Sequence, residues 1–261
     1  MLFILFFFTA CEKKPNLTVK ISGEESYLFL IQEWADTYND VQKDELIVFN
    51  DAHIEDLFSG KSDIFYSHNQ IDFQLRKKVE VEGYDLTELP MVRDGVTFVV
   101  PTTSRIEYLK YEDIEAIFSG KITVWDSISY QSGIIRLFAD KSDIIHNKYF
   151  ENKALTEGNW SQTIEWLPSQ KAVIDSVKNV NLAIGLLSLS SPMTAIKDVK
   201  ILSLIQGEEL FTPLQFNYAF SYPIYFYHLR QNATQLNNFI SFCTSQKGKS
   251  IAMEEGIVPF F

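Results

Sequence analysis

Two rhythms of apolar residues alternate along the chain. Short, nearly continuous apolar runs, "LTVKIS", "LIVFN", "DIFYS", "GVTFVVP", "IIRLFA", "LAIGLLSLS" and "PIYFYHL", have the β-branched and aromatic content of strands. Between the first two, residues 25–38 place Tyr27, Leu30, Ile31 and Trp34 on one helical face, so strand, helix and strand form a βαβ unit. Further helical periods cover 111–119, 144–152, 169–178 and 235–245. Apolar strands separated by helices predict an α/β protein with mostly parallel, buried strands. No low-complexity segment or long linker interrupts the alternation.

Within this pattern eight residues nearly repeat: "IEDLFSGK" at 54–61 and "IEAIFSGK" at 114–121. Each copy has apolar residues at helical spacing (Ile54, Leu57, Phe58; Ile114, Ile117, Phe118) and then Ser-Gly-Lys. Gly60 and Gly120 suit the left-handed residue that closes a helix, and Lys61 and Lys121 suit its negative end. Downstream the copies diverge into "SDIFYS" and "ITVWDSI". The repeat therefore reads as one way of ending a helix used twice, not as a duplicated domain.

Composition narrows the function. With 261 residues, 46% hydrophobic and including 21 Phe and 12 Tyr, the chain can bury one large core or two smaller ones. A formal charge of −11 without a basic cluster excludes a general nucleic-acid binder. The first residues, "MLFILFFFTAC", contain seven consecutive apolar positions, Leu2 to Phe8, too few to span a bilayer. Phe8-Thr9-Ala10-Cys11 resembles a bacterial lipoprotein box, which implies a signal segment over 1–11, a lipid on Cys11 and a polar tether, "EKKPN", leaving a bacterial membrane. Cys243 then has no intramolecular partner. Its helical spacing with Phe239 and Phe242 makes it a buried thiol, not a nucleophile.

The second repeat stands in a longer recognisable run. "DGVTFVVPTTSRIEYLKYEDIEAIFSGKITVWDSI", 94–128, resembles the segment that leads into the second lobe of phosphate-binding proteins of ABC importers, within the type 2 periplasmic binding proteins. In the same order, "ISGEESYLFLIQEWADTYN" resembles the first strand and helix of that family and "NVNLAIGLLSLS" its "IGY" strand. "YAFSYPIYFYHLRQNATQLNNFISFCTSQKGKSIAMEEGIVPFF" resembles its return to the first lobe and its C-terminal helices. The resemblance implies a two-lobed α/β fold with two crossover hinge segments, near 91–95 and 217–222. The first lobe would comprise 17–92 plus 221–261, and the second 93–220. It further implies a monomer without cofactor or catalysis that closes on a small ligand, phosphate or similar, and hands it to an ABC permease.

In that family Ser and Thr hydroxyls and helix N-terminal N–H groups cradle the anion. Carried onto this chain, the cradle falls on Glu25 and Ser26 after the first strand, Asp51 and Ala52 after the second, Ser67 and His68 after the third, and Ser142, Asp143 and Ile144 in the second lobe. Several of these are acidic where the family has hydroxyls, and the Arg expected just before Ser142 is not in place, the adjacent acid being Asp140. A carboxylate about 4 Å from a bound anion costs about 4 kcal/mol at an effective dielectric of 20. Two readings follow. Either Glu25, Asp51 and His68 converge and select another ligand, a cation or a divalent metal, or the acidic residues cap helices, as Asp51 and Ser142 are placed to do, and the backbone cradle persists with weaker affinity. His53, His146 and His228 show no metal-ligand spacing with His68, so no metal site is expected. The chain has no G-x-S-x-G, H-E-x-x-H, C-x-x-C or Gly-rich phosphate loop, which argues against an enzyme.

Overall fold

A computed structural model describes residues 17–42, 45–50, 53–129, 131–155, 158–191 and 197–260. The chain opens with β1 (Thr18–Gly23), passes through a 3-10 turn at Glu25–Tyr27 into α1 (Leu28–Gln42), and returns as β2 (Glu45–Asn50), parallel to β1. The helical face read from the sequence is the one that packs: Tyr27, Leu30, Ile31 and Trp34 are all buried, and Trp34 Nε1 donates to Gly248 O at 2.9 Å. Then come α2 (Glu55–Phe58), β3 (Ile64–Ser67) parallel to β1, and α3 (Phe73–Val81), capped by Asp72, whose side chain accepts from Leu75 N.

The 16-residue β4 (Leu86–Pro101) carries the chain from this first lobe into the second. There follow β5 (Tyr108–Lys110), α4 (Tyr111–Phe118), β6 (Arg136–Asp140), α5 (Ile144–Ala154), β7 (Ile164–Leu167), α6 (Gln170–Asn179), β8 (Ala183–Ser188), β9 (Val199–Ile201), β10 (Ser203–Gln206) and β11 (Glu209–Phe211). The return strand β12 (Ser221–Leu229) leads to α7 (Ala233–Thr244), α8 (Gln246–Glu254) and β13 (Val258–Pro259). The main sheet runs β2-β1-β3-β12-β4-β8-β6-β7, with β9 and β13 also paired to β4, and β11-β10-β5 form a separate three-stranded sheet.

The expected parallel order holds at each end of the main sheet, in β2-β1-β3 and in β8-β6-β7. Its centre is antiparallel, because β4 takes the chain out and β12 brings it back, so the two must oppose. They pair from Leu86 opposite Leu229 to Gly95 opposite Ser221, one ribbon joining both lobes. Two large clusters of buried side chains flank the crossing, with a smaller one around Phe138 and Val173 in the second lobe. One contains Ile21, Trp34, Tyr66, Phe226 and Phe239 together with the buried Cys243. The other contains Phe98, Phe118, Trp125, Phe150 and Phe220.

Both copies of the repeat end alike. Ser59 N donates to Glu55 O and Gly60 N to Leu57 O, just as Ser119 N donates to Glu115 O and Gly120 N to Ile117 O. Gly60 and Gly120 have φ of 70° and 79°, the left-handed conformation that glycine adopts without strain.

Candidate functional site

The crossing ribbon is flanked by two knots of polar side chains, each closed on a carboxylate of the chain itself. On the first-lobe side the end of β3 delivers Ser67, His68 and Asn69 to Glu24. Ser67 Oγ donates to Glu24 Oε1 at 2.6 Å and Asn69 Nδ2 to the same oxygen at 3.1 Å. His68 N donates to Oε2 at 3.2 Å, and His68 Nδ1 lies 2.5 Å from it. Glu24 precedes the 3-10 turn, yet its side chain caps nothing there. Burial pushes its carboxyl pKa up, but the hydrogen bonds from His68 and Ser67 outweigh this and hold it below the ordinary carboxylate value.

On the other side Asp94, fully buried on β4, accepts from Gly95 N (2.7 Å), Ser190 N (3.2 Å) and Ser190 Oγ (2.9 Å). Its Oδ2 also lies 2.8 Å from Nε2 of His146, in the first turn of α5. The other ring nitrogen of His146 lies 2.7 Å from Asp143 Oδ1. Asp143 Oδ2 accepts from Gln170 Nε2 at 2.6 Å, and Gln170 Oε1 accepts from Ser188 N and Ser191 Oγ. Burial alone would lower the imidazole pKa, but Asp94 and Asp143 carry it up to about 10. Below that pH the ring is an imidazolium with a carboxylate on each nitrogen, which fixes both N–H groups as donors.

Tyrosines join the two knots. Tyr27 and Tyr222, both buried, share a hydrogen bond of 2.8 Å between their hydroxyls. The Tyr222 ring lies 5.6 Å from the ring of His68, 5.9 Å from that of His146 and 4.5 Å from that of Tyr149. Tyr149 on α5 in turn donates to Ser221 O at 2.9 Å. Lobe, crossing strands and opposite lobe are thus in continuous contact.

Of the positions expected from the sequence, Ser67 and His68 are brought together, with Glu24 rather than Glu25 as their acidic partner. Glu25 and Ser26 are exposed on the 3-10 turn. Asp51, Ala52 and Cys11 lie outside the described residues. Ser142 is exposed, and both its N–H and its hydroxyl donate to Asp140 Oδ1, at 2.8 and 2.6 Å. The cap of α5 is Asp143, one residue beyond the expected Ser142, accepting from His146 N at 3.3 Å, and Ile144 is exposed. Glu24, Asp94, His146, Gln170, Tyr27 and Tyr222 were not among the expected site residues. The i, i+3 spacing of Asp143 and His146 on a helix is the one local signal that could have found part of this set. Among the described residues no three His, Cys, Asp or Glu side chains are grouped to hold a metal ion.

The family model for the PBP superfamily domain, the periplasmic binding proteins, matches residues 10–247. The chain belongs to this superfamily. Solved structures agree on its fold. PstS from Borrelia burgdorferi aligns with a TM-score of 0.72 at 17% identity, over 93% of this chain and 98% of that one. An ABC-type phosphate transport receptor from Vibrio cholerae gives 0.66 at 21%, over 92% and 99%. A phosphate ABC transporter substrate-binding protein with bound phosphate from Clostridium perfringens gives 0.63 at 19%, over 93% and 99%. No curated protein sequence matches the chain. As a member of the periplasmic-binding-protein superfamily the molecule is a binding protein and not an enzyme. Among the described residues no helix is long and apolar enough to cross a membrane.

Proposed function

We propose that the chain is a solute-binding receptor of the ABC phosphate-importer type, which captures phosphate or a related small ligand between its lobes by hinge closure and delivers it to a membrane permease. One observation carries the reading: Glu24, Ser67, His68 and Asn69 on one side of the β4–β12 ribbon and Asp94, Asp143 and His146 on the other are joined through Tyr27 and Tyr222. Polar groups drawn from both lobes onto the crossing strands are what a closing cleft needs. The lobes are 17–92 plus 221–261 and 93–220, in keeping with the division of the two large buried clusters. The receptor is a monomer, and lipid on Cys11 anchors it to a bacterial membrane, facing the periplasm or at the cell surface, an anchoring that rests on Phe8-Thr9-Ala10-Cys11.

Phosphate enters such a cleft in competition with the chain's own carboxylates, so its affinity is weak. The same occupancy favours a second reading, a module that has lost phosphate binding and serves as a sensor or interaction protein. A thermal-shift screen separates them, using protein unfolded and refolded to remove carried-over ligand, against phosphate, sulfate, phosphonates, molybdate and small cations. A ligand at a hundred times its dissociation constant stabilises by about 2.7 kcal/mol, which raises Tm by several degrees at this size. The receptor reading expects a shift with phosphate at high concentration. Silence with every solute supports the interaction module.

A further inference from the structure

We infer that Glu24 is a built-in occupant of an oxyanion site on the first lobe, and that this one side chain sets the lobe's specificity by competing with small carboxylates and phosphate for the same donors. The inference rests on the proposed function only for the location of the ligand. Four donors converge on two oxygens: Ser67 Oγ and Asn69 Nδ2 on Oε1, and the backbone N–H and Nδ1 of His68 on Oε2. A hydroxyl, an amide, a backbone N–H and an imidazole grouped at the end of one strand form a cradle for a planar or tetrahedral oxyanion.

The donors are aimed, not merely near. Asn69 N donates to Ser67 Oγ at 2.9 Å, which occupies a lone pair of the hydroxyl and leaves its proton for Glu24. The His68 ring is held from two further sides by aromatic contacts, to Tyr27 with centroids 6.3 Å apart and to Tyr222 at 5.6 Å. The ordinary role for an acidic residue at this point of the chain is to cap the helix that follows, and Glu24 does not perform it. The knot is also open to solvent: the Glu24 side chain keeps 22% of its exposure and His68 21%. An anion from solution can reach the same donors once the carboxylate is removed.

The test compares full-length wild type, Glu24→Ala and Glu24→Gln, each unfolded and refolded, titrated with acetate and with phosphate by thermal shift and calorimetry. Glu24→Ala is expected to lose stability and to recover it in proportion to added acetate, binding at least tenfold more tightly than wild type, with phosphate acting in the same direction. Glu24→Gln, whose amide still fills the cradle, is expected to gain no binding. Should Glu24→Ala fail to refold, Glu24→Ser carries the same comparison. Equal binding by wild type and Glu24→Ala overturns the inference, as does an equal gain in Glu24→Gln, which would trace the effect to charge alone. A phosphate response as strong in wild type as in Glu24→Ala leaves the receptor reading intact while removing this one. Acetate and phosphate gains in Glu24→Ala, with no phosphate response in wild type at any concentration, do the reverse.

Discussion

His146→Ala is expected to lower stability by about 3–5 kcal/mol, the cost of leaving a buried charge without its partner. Asp94 is fully buried, and its Oδ2 would keep only Ser190 Oγ once the imidazole is gone. Asp143 would lose its ring partner as well, and with it the link between the start of α5 and β4. In a chain of this size the loss amounts to about 10 °C in Tm. The sign of the pH dependence follows from the raised imidazole pKa. The folded value of about 10 lies above the unfolded value of about 6.5. The stabilisation is therefore complete below pH ~6.5 and is lost as pH rises through the folded value. Calorimetry between pH 7 and 10.5 should show wild type losing stability steadily from pH 7 and levelling off near pH 10, and His146→Ala losing much less. Parallel curves for the two proteins would show that the imidazolium is not held by Asp94 and Asp143.

Gly95→Ala is expected to be comparably severe, for a steric reason. A Cβ on Gly95 would stand 2.0 Å from Phe220 O and 2.7 Å from Ser221 Cα, and backbone cannot rotate away as a side-chain tip can. Val96 N donates to that same Phe220 oxygen at 2.9 Å, so the methyl would push apart β4 and the residues that lead into β12. Phe220 stacks on Tyr111 and packs edge-on against Phe98, and these contacts would move with it. Overpacking of this kind costs about 3 kcal/mol or more, seen as a lower urea midpoint with an unchanged slope. A Gly95→Ala protein as stable as wild type would mean that the crossing strands have room between them.

Much of the architecture can be read along the chain because it is local. Tyr27, Leu30, Ile31 and Trp34 announce their helix by period alone, and Gly60 and Gly120 announce two helix ends by chemistry alone. The first half of β4 does not announce itself: Leu86–Pro90 is half-buried, mixes charged with apolar residues and contains a proline, so no alternation marks it. Its pairing with β12 is long-range, and no local pattern says that Gly95 meets Ser221. The shorter strands, β5, β9 and β11 among them, have three residues each, too few to display a period.

The site divides in the same way. Ser67 and His68 could be singled out only through the family resemblance, which points to the end of the third strand. That Glu24 meets them was not legible, because which of two adjacent glutamates turns inward depends on where the 3-10 turn begins, and here Glu25 is exposed. Asp94 and His146 are 52 residues apart and meet only when α5 docks on the crossing strand. A charged residue at the head of the apolar run "DGVTFVV" marks Asp94 as unusual, but the sequence does not name the cation that answers it. Of the two roles weighed for the acidic residues, the structure displays the cap, and at Asp143 rather than at Ser142. Asp143 caps α5 and also binds His146, whereas Glu24 caps nothing.

Small-angle scattering of the refolded, ligand-free protein, with and without saturating phosphate, tests the central claim of lobe closure on a small ligand most directly. The account predicts a radius of gyration that falls on adding phosphate, as a hinge brings two lobes together, and that rises again on dialysis. A radius unchanged by phosphate, in protein whose thermal stability phosphate also leaves unaltered, would contradict it.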